Sequence, residues 1–282
     1  MSSAYDQLLD AAIRHLEDLK AHGARNVVVS PETLRALSQP AKSFQFSFSN
    51  VQPAAQPPPV KPGVPTALDP RPSTLDPAKA AAFAALRERV LASVKCAHLA
   101  SSRKNVVFGV GNPDARLMFV GEAPGADEDA QGEPFVGRAG ELLTKIIQAT
   151  GLQRSDVYIA NILKCRPDTP GQAAGNRKPT SDEMATCIPF LHEQIDLIQP
   201  RVLVALGATA VEGLLGKTVG ITRLRGQWHA YRGIPLMPTY HPAYLLRNQA
   251  MSEKRKVWED MLAVMEKLEM PISEKQRRFF QK

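Results

Sequence analysis

The chain has 282 residues, of which 44% are hydrophobic, so it can build the core of one large domain together with a smaller appendage. Residues 1–77 carry as many basic as acidic side chains, and the whole net charge of +7 therefore belongs to residues 78–282, which favours a polyanionic partner for that part. No stretch approaches the roughly 18 apolar residues of a membrane span and the N-terminus lacks the apolar region of a signal peptide, so we expect a cytoplasmic protein that does not enter a membrane.

Residues 1–39 are predicted to form a helical N-terminal segment. Leucines and an isoleucine recur at helical spacing over residues 4–22, and a second short helix is predicted to start at Ser30, with Pro31 at its first helical position. The segment carries no catalytic signature. It is a candidate contact for a replication or repair protein, or a degenerate helical hairpin.

Residues 40–77 are predicted to be a flexible, Pro-rich linker. Nine of the 23 prolines lie between Pro53 and Pro77, where they hold the backbone extended and leave few large apolar side chains to bury. The run PPPVKP is also compatible with a polyproline-binding partner, but a semi-rigid spacer is the preferred interpretation.

Strands and helices alternate over the third segment, residues 78–282. The predicted helices cover 78–95, 140–150, 181–198, 208–215, 244–247 and 254–268, and the predicted strands cover 116–120, 157–163, 201–206 and 235–240. This alternation predicts a three-layer α/β/α sandwich around a central, mainly parallel sheet. Ligands bind beyond the carboxyl ends of such strands, where the motifs beginning at Gly121, Asn161 and His241 converge.

The loop Gly121–Arg138, GEAPGADEDAQGEPFVGR, is the first of these motifs. It lacks the GxGxxG fingerprint of dinucleotide-binding proteins, but its glycines let backbone N–H groups approach a ligand closely. At least part of the acidic run 127–129 is expected to face solvent. Phe135, in a polar loop between Pro and Gly residues, is badly placed for a core and well placed to stack on a flat ligand.

Asn161 and His241 are the candidate polar groups at the other strand ends. An Asn inside the apolar run VYIANIL is costly unless it is used, and the alternative is a cap of a turn or strand end. His241 ends a strand and precedes Pro, whereas an isolated His is more often structural. The following Leu246 and Arg247 form either an apolar wedge beside a cation or an ordinary helix start.

These motifs resemble the type 4 uracil-DNA glycosylases, the iron–sulfur members of the uracil-DNA glycosylase superfamily. Besides the loop, the segments VYIANILKCRP, NRKP, RVLVALGATA, ITRLRGQW and HPAYLLRN match that family in the same order. The resemblance covers roughly residues 85–268 and does not cover residues 1–77. It implies a monofunctional DNA repair enzyme that hydrolyses the N-glycosidic bond of uracil in single- or double-stranded DNA and leaves an abasic site.

The resemblance also implies how single residues act on the base. The uracil nucleotide is flipped out of the stack, and Phe135 stacks on it. Asn161 reads the uracil edge, since an amide offers a donor and an acceptor to the adjacent O4 and N3–H. His241 donates to O2 as negative charge builds on the leaving base. Leu246 and Arg247 are the candidate DNA contacts, which fill the gap left in the stack by the flipped nucleotide.

Four further site residues are implied by the resemblance: Glu122, Ala123, Glu128 and Asn176. Glu128 positions or activates the attacking water, and its charge favours an oxocarbenium-like sugar. Glu122 and the backbone at Ala123 complete the pocket, and Asn176 is a further substrate contact. Other branches of the superfamily place Asp or Asn in this loop to handle water. Ala123 cannot do so, and catalysis is expected to rest on leaving-group stabilisation and on Glu128.

A four-iron–four-sulfur cluster is the cofactor that the resemblance implies. Cys96, Cys165 and Cys187 match the second, third and fourth cysteine ligands of the family, whereas the first ligand position holds Ser93. A serine alkoxide, a water, His98 or a three-iron cluster would fill the gap. The alternatives are a labile or absent cluster and three buried thiols, since disulfides are not expected in a reducing compartment.

Two further interpretations concern the partners of the chain. The stretch Asp168–Gly175 is predicted to be a flexible loop, and it lacks the basic, His-bearing character of the insertion in covalently trapping relatives, which disfavours DNA crosslinking. The alternative to an enzyme is a non-catalytic DNA-binding or polymerase-associated module of the same fold. In either case we expect a monomer.

Overall fold

The computed structural model describes residues 76–167, 177–216 and 219–281, with the backbone alone at 97 and 98. The chain divides into two units between residues 63 and 64, and the described residues all belong to the second. The predicted N-terminal helices, the linker up to residue 75, the predicted loop 168–175 and Asn176 lie outside the described residues.

Helices and strands alternate along the described residues. In chain order they are α1 (Pro77–Leu91), α2 (Ala97–Ser102), β1 (Val110–Gly111), β2 (Leu117–Gly121), α3 (Ala126–Gln131), α4 (Arg138–Ala149), β3 (Tyr158–Asn161), α5 (Ser181–Ile198), β4 (Val202–Leu206), α6 (Ala208–Leu215), α7 (Ile221–Leu224), β5 (His229–Tyr231), β6 (Ile234–Thr239), α8 (Pro242–Arg247), α9 (Met251–Lys267) and α10 (Glu274–Arg277), with a 3-10 turn at Arg154–Asp156. Side chains define several helix starts. Asp76 caps α1, and Thr180 and Glu183 form a capping box at α5.

The described strands form one six-stranded sheet in the order β1-β3-β2-β4-β6-β5. The four central strands are parallel, whereas the edge strands β1 and β5 run antiparallel to β3 and β6. The chain passes from β2 to β3 on one side and then returns to the other side of β2 for β4. Such a reversal of strand order opens a crevice at the carboxyl ends of the strands, where ligands bind in open α/β sheets.

Helices cover both faces of the sheet. Met118 and Val120 of β2 belong to the hydrophobic core under α5 and α6, whereas Leu117 and Phe119 belong to the core under α4 and α9. Alternate residues of one strand therefore face opposite cores, as expected for a strand that is buried on both sides. The predicted three-layer α/β/α sandwich with a mainly parallel sheet is confirmed.

The predicted elements of this domain occur in the expected order, but some of their ends differ. The helix predicted over 78–95 ends at Leu91, because Ser93 and Val94 favour a helix less than the alanine-rich run before them. The strand predicted over 157–163 ends at Asn161. The sequence does not predict the edge strands or the short helices α2, α3, α7 and α10, since such short segments show too little periodicity.

A buried polar network around Asp260 joins α9 to the end of β6 and to Arg225, which follows α7. Asp260 is 1% exposed and accepts hydrogen bonds from Arg225 Nε at 3.1 Å and from Thr239 Oγ1 at 2.6 Å. Arg225 also donates to the carbonyl oxygen of Lys256. Because Thr239 ends β6, this network holds the strand end from which the chain continues to His241.

We predict that Asp260→Ala lowers the free energy of unfolding by about 3–5 kcal/mol, because it leaves a buried guanidinium without its carboxylate. Asp196→Ala is the matched control, since Asp196 pairs with Arg232 at the exposed surface and such pairs contribute at most about 1 kcal/mol. Urea denaturation of both variants measures the difference. Equal losses in the two variants would contradict a dominant role for the buried pair.

Candidate active site

Three strand ends meet at the carboxyl edge of the sheet. Gly121 ends β2 and Asn161 ends β3, and these two residues are paired neighbours in the parallel ladder. His241 follows β6 and precedes α8. Gly207, directly after β4, has a φ of +93°, and a Cβ placed there would lie 3.0 Å from Cβ of His241. The fold therefore places both candidate polar groups at one edge.

The absence of a side chain at Gly121 lets two candidate residues approach each other. A Cβ at this position would overlap Oδ1 of Asn161 and lie 2.6 Å from Cζ of Phe135. Both side chains thus pack directly over the Gly121 backbone. Any other residue at position 121 would push the amide or the ring away from its place.

Phe135 is buried, in contrast to the expectation for an aromatic side chain in a polar loop. Its φ of 54° belongs to the left-handed region, and its ring is 6% exposed and packs in the core under α4. Arg154 donates to the Pro134 carbonyl at 3.0 Å, and Gly140 leaves room for the Phe135 carbonyl. The ring centroid lies 5.5 Å from that of His241, with the planes tilted by 30°.

Asn161 presents a buried amide oxygen without a partner. The residue is 2% exposed, and its Oδ1 atom accepts no hydrogen bond from the described residues. An unpaired buried polar atom costs about 1–3 kcal/mol. The finding argues against a capping role for this oxygen and is typical of a group that meets its partner only when a ligand binds.

His241 is held in one tautomer by the start of α8. Its Nδ1 atom accepts a hydrogen bond from the Ala243 N–H at 3.1 Å, so the proton of the neutral ring is on Nε2. Burial, assisted by the positive charge of Arg247, lowers the pKa of His241 to about 4. Near neutral pH the ring is therefore an uncharged N–H donor.

Glu128 joins the two ends of the loop. Its Oε2 atom accepts from the Gly125 N–H at 2.9 Å, and its Oε1 atom accepts from the N–H groups of Val136 at 3.1 Å and Gly137 at 3.3 Å. A carboxylate with three backbone donors fixes the shape of the loop around Phe135. Oε2 accepts only one of these three hydrogen bonds and therefore retains a further lone pair for a water molecule.

The acidic run beside Glu128 is divided between solvent and interior. Asp127 is exposed, as expected for part of the run. Asp129 is 3% exposed and accepts hydrogen bonds from the backbone N–H groups of Lys104 and Asn105. Asp129 therefore has a structural role, since it attaches α3 to the segment in front of β1.

Glu122 and Ala123 contact the layer of the domain that contains α5 and α6. Burial raises the pKa of Glu122, although the hydroxyl of Thr209 and the charge of Lys178 stabilise its carboxylate. Lys178 in turn forms an ion pair with Glu212 of α6. Ala123 packs against the core under α5 and α6. The structure thus connects Glu122 to α6.

The candidate DNA contacts follow His241 on α8. Leu245 is buried and packs with Tyr240 and Val257, so it belongs to the protein core. Leu246 is half-buried and Arg247 is exposed. On α8, Leu245 therefore packs into the core, whereas the next two residues, Leu246 and Arg247, remain accessible.

The family of this chain is decided by comparison with known proteins. The sequence model described as Uracil DNA glycosylase superfamily matches residues 108–262, a range that contains all three strand ends of the site. This chain belongs to the uracil DNA glycosylase superfamily. Within the described residues of this superfamily member, no helix is long and apolar enough to span a membrane.

Several relatives in the superfamily are type-4 uracil-DNA glycosylases. The Thermotoga maritima protein is 49% identical over 179 residues, which cover 62% of this chain and 88% of the relative. The Sulfurisphaera tokodaii protein is 41% identical over 184 residues, covering 62% and 79%. The Archaeoglobus fulgidus protein is 39% identical over 174 residues, covering 59% and 84%. The resemblance to the type 4 branch is confirmed.

The three cysteines of this superfamily member lie close to one another. The Sγ atoms of Cys96 and Cys187 are 3.8 Å apart, and Arg103 donates to Sγ of Cys165 at 3.0 Å. Burial raises the pKa of each thiol, and the charge of a neighbouring cysteine raises it further. Among the described residues, no three His, Cys, Asp or Glu side chains are arranged to hold a single metal ion.

Lys164 is a functional candidate that the sequence motifs do not single out. It is 2% exposed and lies between the end of β3 and Cys165. Burial lowers its pKa to about 7. The signal in the sequence is a lysine inside the apolar stretch NILKC, where a charged side chain is more costly to bury than the neutral Asn161 amide.

Three basic side chains of the motifs NRKP and ITRLRGQW have partners within the protein. Arg177 pairs with Glu183, Lys178 with Glu212 and Arg225 with Asp260. The Arg225 side chain is only 15% exposed. Arg225 is therefore a structural residue.

We predict that the His241 ring titrates near pH 4, because burial disfavours the imidazolium. In the unfolded chain the ring titrates near its ordinary pKa of about 6.5, so the unfolded state binds the proton first. The free energy of unfolding is therefore expected to fall as the pH drops from about 6.5 to about 4. NMR titration of the ring nitrogens, assigned with His241→Ala, measures both the pKa and the tautomer. A midpoint at or above 6.5 would contradict the prediction.

Proposed function

We propose that this protein is a uracil-DNA glycosylase of DNA repair. It hydrolyses the N-glycosidic bond of uracil in single- or double-stranded DNA, which releases free uracil and leaves an abasic site. The observation that carries the proposal is the buried, unpaired Asn161 amide oxygen beside Phe135 and a neutral His241. A superfamily membership shared with type-4 uracil-DNA glycosylases supports the same reaction.

The base reaches this site after it is flipped out of the DNA stack. Flipping costs a few kcal/mol. Stacking on an aromatic ring returns about 1–3 kcal/mol per base, which is the proposed role of Phe135. Because the ring is already held over Gly121 by the loop, little further ordering is required when the base arrives.

Asn161 selects the base by its hydrogen-bond pattern. The unpaired Oδ1 atom accepts the N3–H of uracil, and the amide N–H₂ donates to O4. Cytosine presents an acceptor at N3 and an amino group at C4. The Asn161 oxygen would then face an acceptor and its N–H₂ group would face a donor, so neither hydrogen bond could form. A site built on such contacts rejects the wrong partner strongly, since its own buried groups are then left unpaired.

His241 stabilises the leaving uracil. As the glycosidic bond breaks, negative charge builds on the base, and the Nε2–H group donates to O2. One preorganised donor of this kind contributes on the order of 3 kcal/mol to the transition state. The depressed pKa keeps the ring neutral, so it stabilises the anion as a hydrogen-bond donor.

The loop residues complete the reaction centre. Glu128 positions the attacking water, and its charge favours the oxocarbenium-like sugar. Glu122 and the backbone at Ala123 close the pocket on the α6 side, and Asn176 is a further substrate contact. Of the described lysines in these motifs, Lys164 contacts Asn161 and Gln194 and Lys178 pairs with Glu212, and we propose a monofunctional enzyme.

DNA binding is assigned to the accessible end of α8 and to the basic domain. Leu246 fills the gap left by the flipped nucleotide, and Arg247 contacts the backbone. The domain spans residues 78–282 and acts as a monomer. The linker 40–77 connects it to the helical segment 1–39, which is proposed to contact a replication or repair protein.

The excision assay tests the proposal directly. Wild-type protein is expected to release uracil from single- and double-stranded oligonucleotides. His241→Ala is expected to lower the single-turnover rate by about 10²–10³-fold, and Asn161→Ala by about tenfold or more. Asp196→Ala, which alters only an exposed ion pair, is the control and should excise at the wild-type rate.

One outcome would favour a different function. Wild-type protein that binds uracil-containing DNA but yields no abasic product would favour a non-catalytic DNA-binding or polymerase-associated module. Equal excision by wild type and both site variants would instead place the catalytic groups elsewhere in the chain.

An iron–sulfur cluster is proposed as the resident cofactor, held by Cys96, Cys165 and Cys187. The three thiols lie together, and the Arg103 guanidinium beside Cys165 suits an anionic sulfur group. In a cluster each thiolate binds a different iron, so the single-ion arrangement is not required. The cluster would pin the segments that carry the cysteines and would not take part in bond cleavage.

Anaerobically purified protein is expected to contain iron and acid-labile sulfide, and Cys165→Ala is expected to lose most of both because one of three thiolates is removed. Ser93→Cys restores the thiol at the remaining ligand position of the family and should retain iron longer in air. Iron and sulfide analysis together with absorption spectra measure the content. Colourless, iron-free wild-type protein that still excises uracil would rule out a resident cluster.

A further inference from the structure

Lys164 is a buried cation that the reaction described above does not use. It lies three residues after Asn161, in the segment that leads from β3 to Cys165, and is 2% exposed. Fully buried lysines are rare unless their ammonium groups are paired. Its contacts therefore indicate what it does.

The Lys164 side chain turns back onto the end of β3. Its Nζ atom donates to the backbone carbonyl of Asn161 at 2.8 Å and to Oε1 of Gln194 at 2.6 Å. Gln194 is 0% exposed and is itself fixed, since its amide nitrogen donates to the Phe108 carbonyl at 2.9 Å and to the Tyr158 hydroxyl at 3.2 Å. Both an ammonium and a neutral amine can make the two Nζ contacts.

The backbone carbonyl to which Lys164 donates belongs to Asn161, the residue that is proposed to recognise the base. The side-chain oxygen of Asn161 has no hydrogen-bond partner among the described residues, so no hydrogen bond of that atom fixes its direction. The orientation of the amide therefore depends on the peptide that follows it. That peptide is fixed on one side by the Ile162 N–H, which donates to the Gly121 carbonyl, and on the other by Lys164 Nζ.

The main chain of Lys164 lies beside one of the cysteines. Burial raises the pKa of the Cys187 thiol, and the nearby backbone N–H of Lys164 opposes that rise. Lys164 thus lies beside the Cys187 thiol with its backbone and contacts the end of β3 with its side chain.

We propose that Lys164 is a positioning residue for base recognition, which orients the Asn161 amide by holding its backbone carbonyl against Gln194. The inference rests on the proposed function, since it concerns how that site reads uracil. Lys164 does not touch the base. Its effect reaches the substrate only through Asn161.

Lys164→Met tests this role, because methionine keeps an unbranched buried side chain and removes the donor. The rate of uracil excision at saturating DNA is expected to fall about tenfold or more, with the DNA concentration for half-maximal rate unchanged. Inhibition by free uracil is expected to weaken by a similar factor. Affinity for an abasic oligonucleotide should not change, because Asn161 meets no base there.

Tyr158→Phe is the matched control, since it removes another member of the same buried network without touching the Asn161 carbonyl. It is expected to lower thermal stability while leaving excision and uracil inhibition at the wild-type level. In an Asn161→Ala background, Lys164→Met should add no further loss of rate, because both changes remove the same recognition.

Each outcome decides between the alternatives. Additive losses in the double variant, or equal losses of uracil and abasic-DNA binding, would show that Lys164 only maintains the fold. If Lys164→Met does not fold, Gln194→Met is used, and unchanged uracil inhibition in that variant would overturn the proposal. Wild-type protein without excision would refute the proposed function, whereas wild-type excision with an unaffected Lys164→Met would refute this inference alone.

Discussion

The site depends on one constraint: the side chains of Asn161 and Phe135 both pack against the backbone of Gly121, in the space that a Cβ would take. β2 and β3 are parallel and adjacent, so their carboxyl ends bring position 121 beside position 161. A side chain at Gly121 would occupy the space that the amide oxygen and the ring share. The reversal of strand order around β2 opens a crevice at the strand ends, and the missing Cβ leaves room in it. A flat, polar ring can stack there on Phe135 while its edge forms hydrogen bonds with Asn161.

The polar groups of this place are arranged before a substrate arrives. Glu128 holds both ends of the loop, the N–H of Ala243 sets the tautomer of His241, and Lys164 holds the peptide after Asn161. A buried polar atom without a hydrogen-bond partner is costly, and the side-chain oxygen of Asn161 is such an atom. Strong preorganisation is what the stabilisation of a leaving anion requires, since the donors then need no reorganisation as charge develops.

The cysteines and the proposed base site are neighbours in the chain and in space. The segment from Asn161 to Cys165 connects them, and Lys164 donates to the Asn161 carbonyl and lies beside Cys187. A group that holds the cysteines would therefore also steady the end of β3. This connection would give the proposed cofactor a structural role in an enzyme whose proposed chemistry needs only hydrogen bonds, stacking and a water molecule.

The sequence by itself determined the layer architecture, the order of the main elements and the family, because hydrophobic periodicity and motif order are local properties of the chain. It also pointed to Phe135, Asn161 and His241. Only the tertiary structure decided that Phe135 is buried, that Glu128 binds three backbone N–H groups and that Lys164 holds the Asn161 carbonyl. These features depend on contacts between segments far apart in the chain, or on a backbone turn, and residue spacing does not encode either.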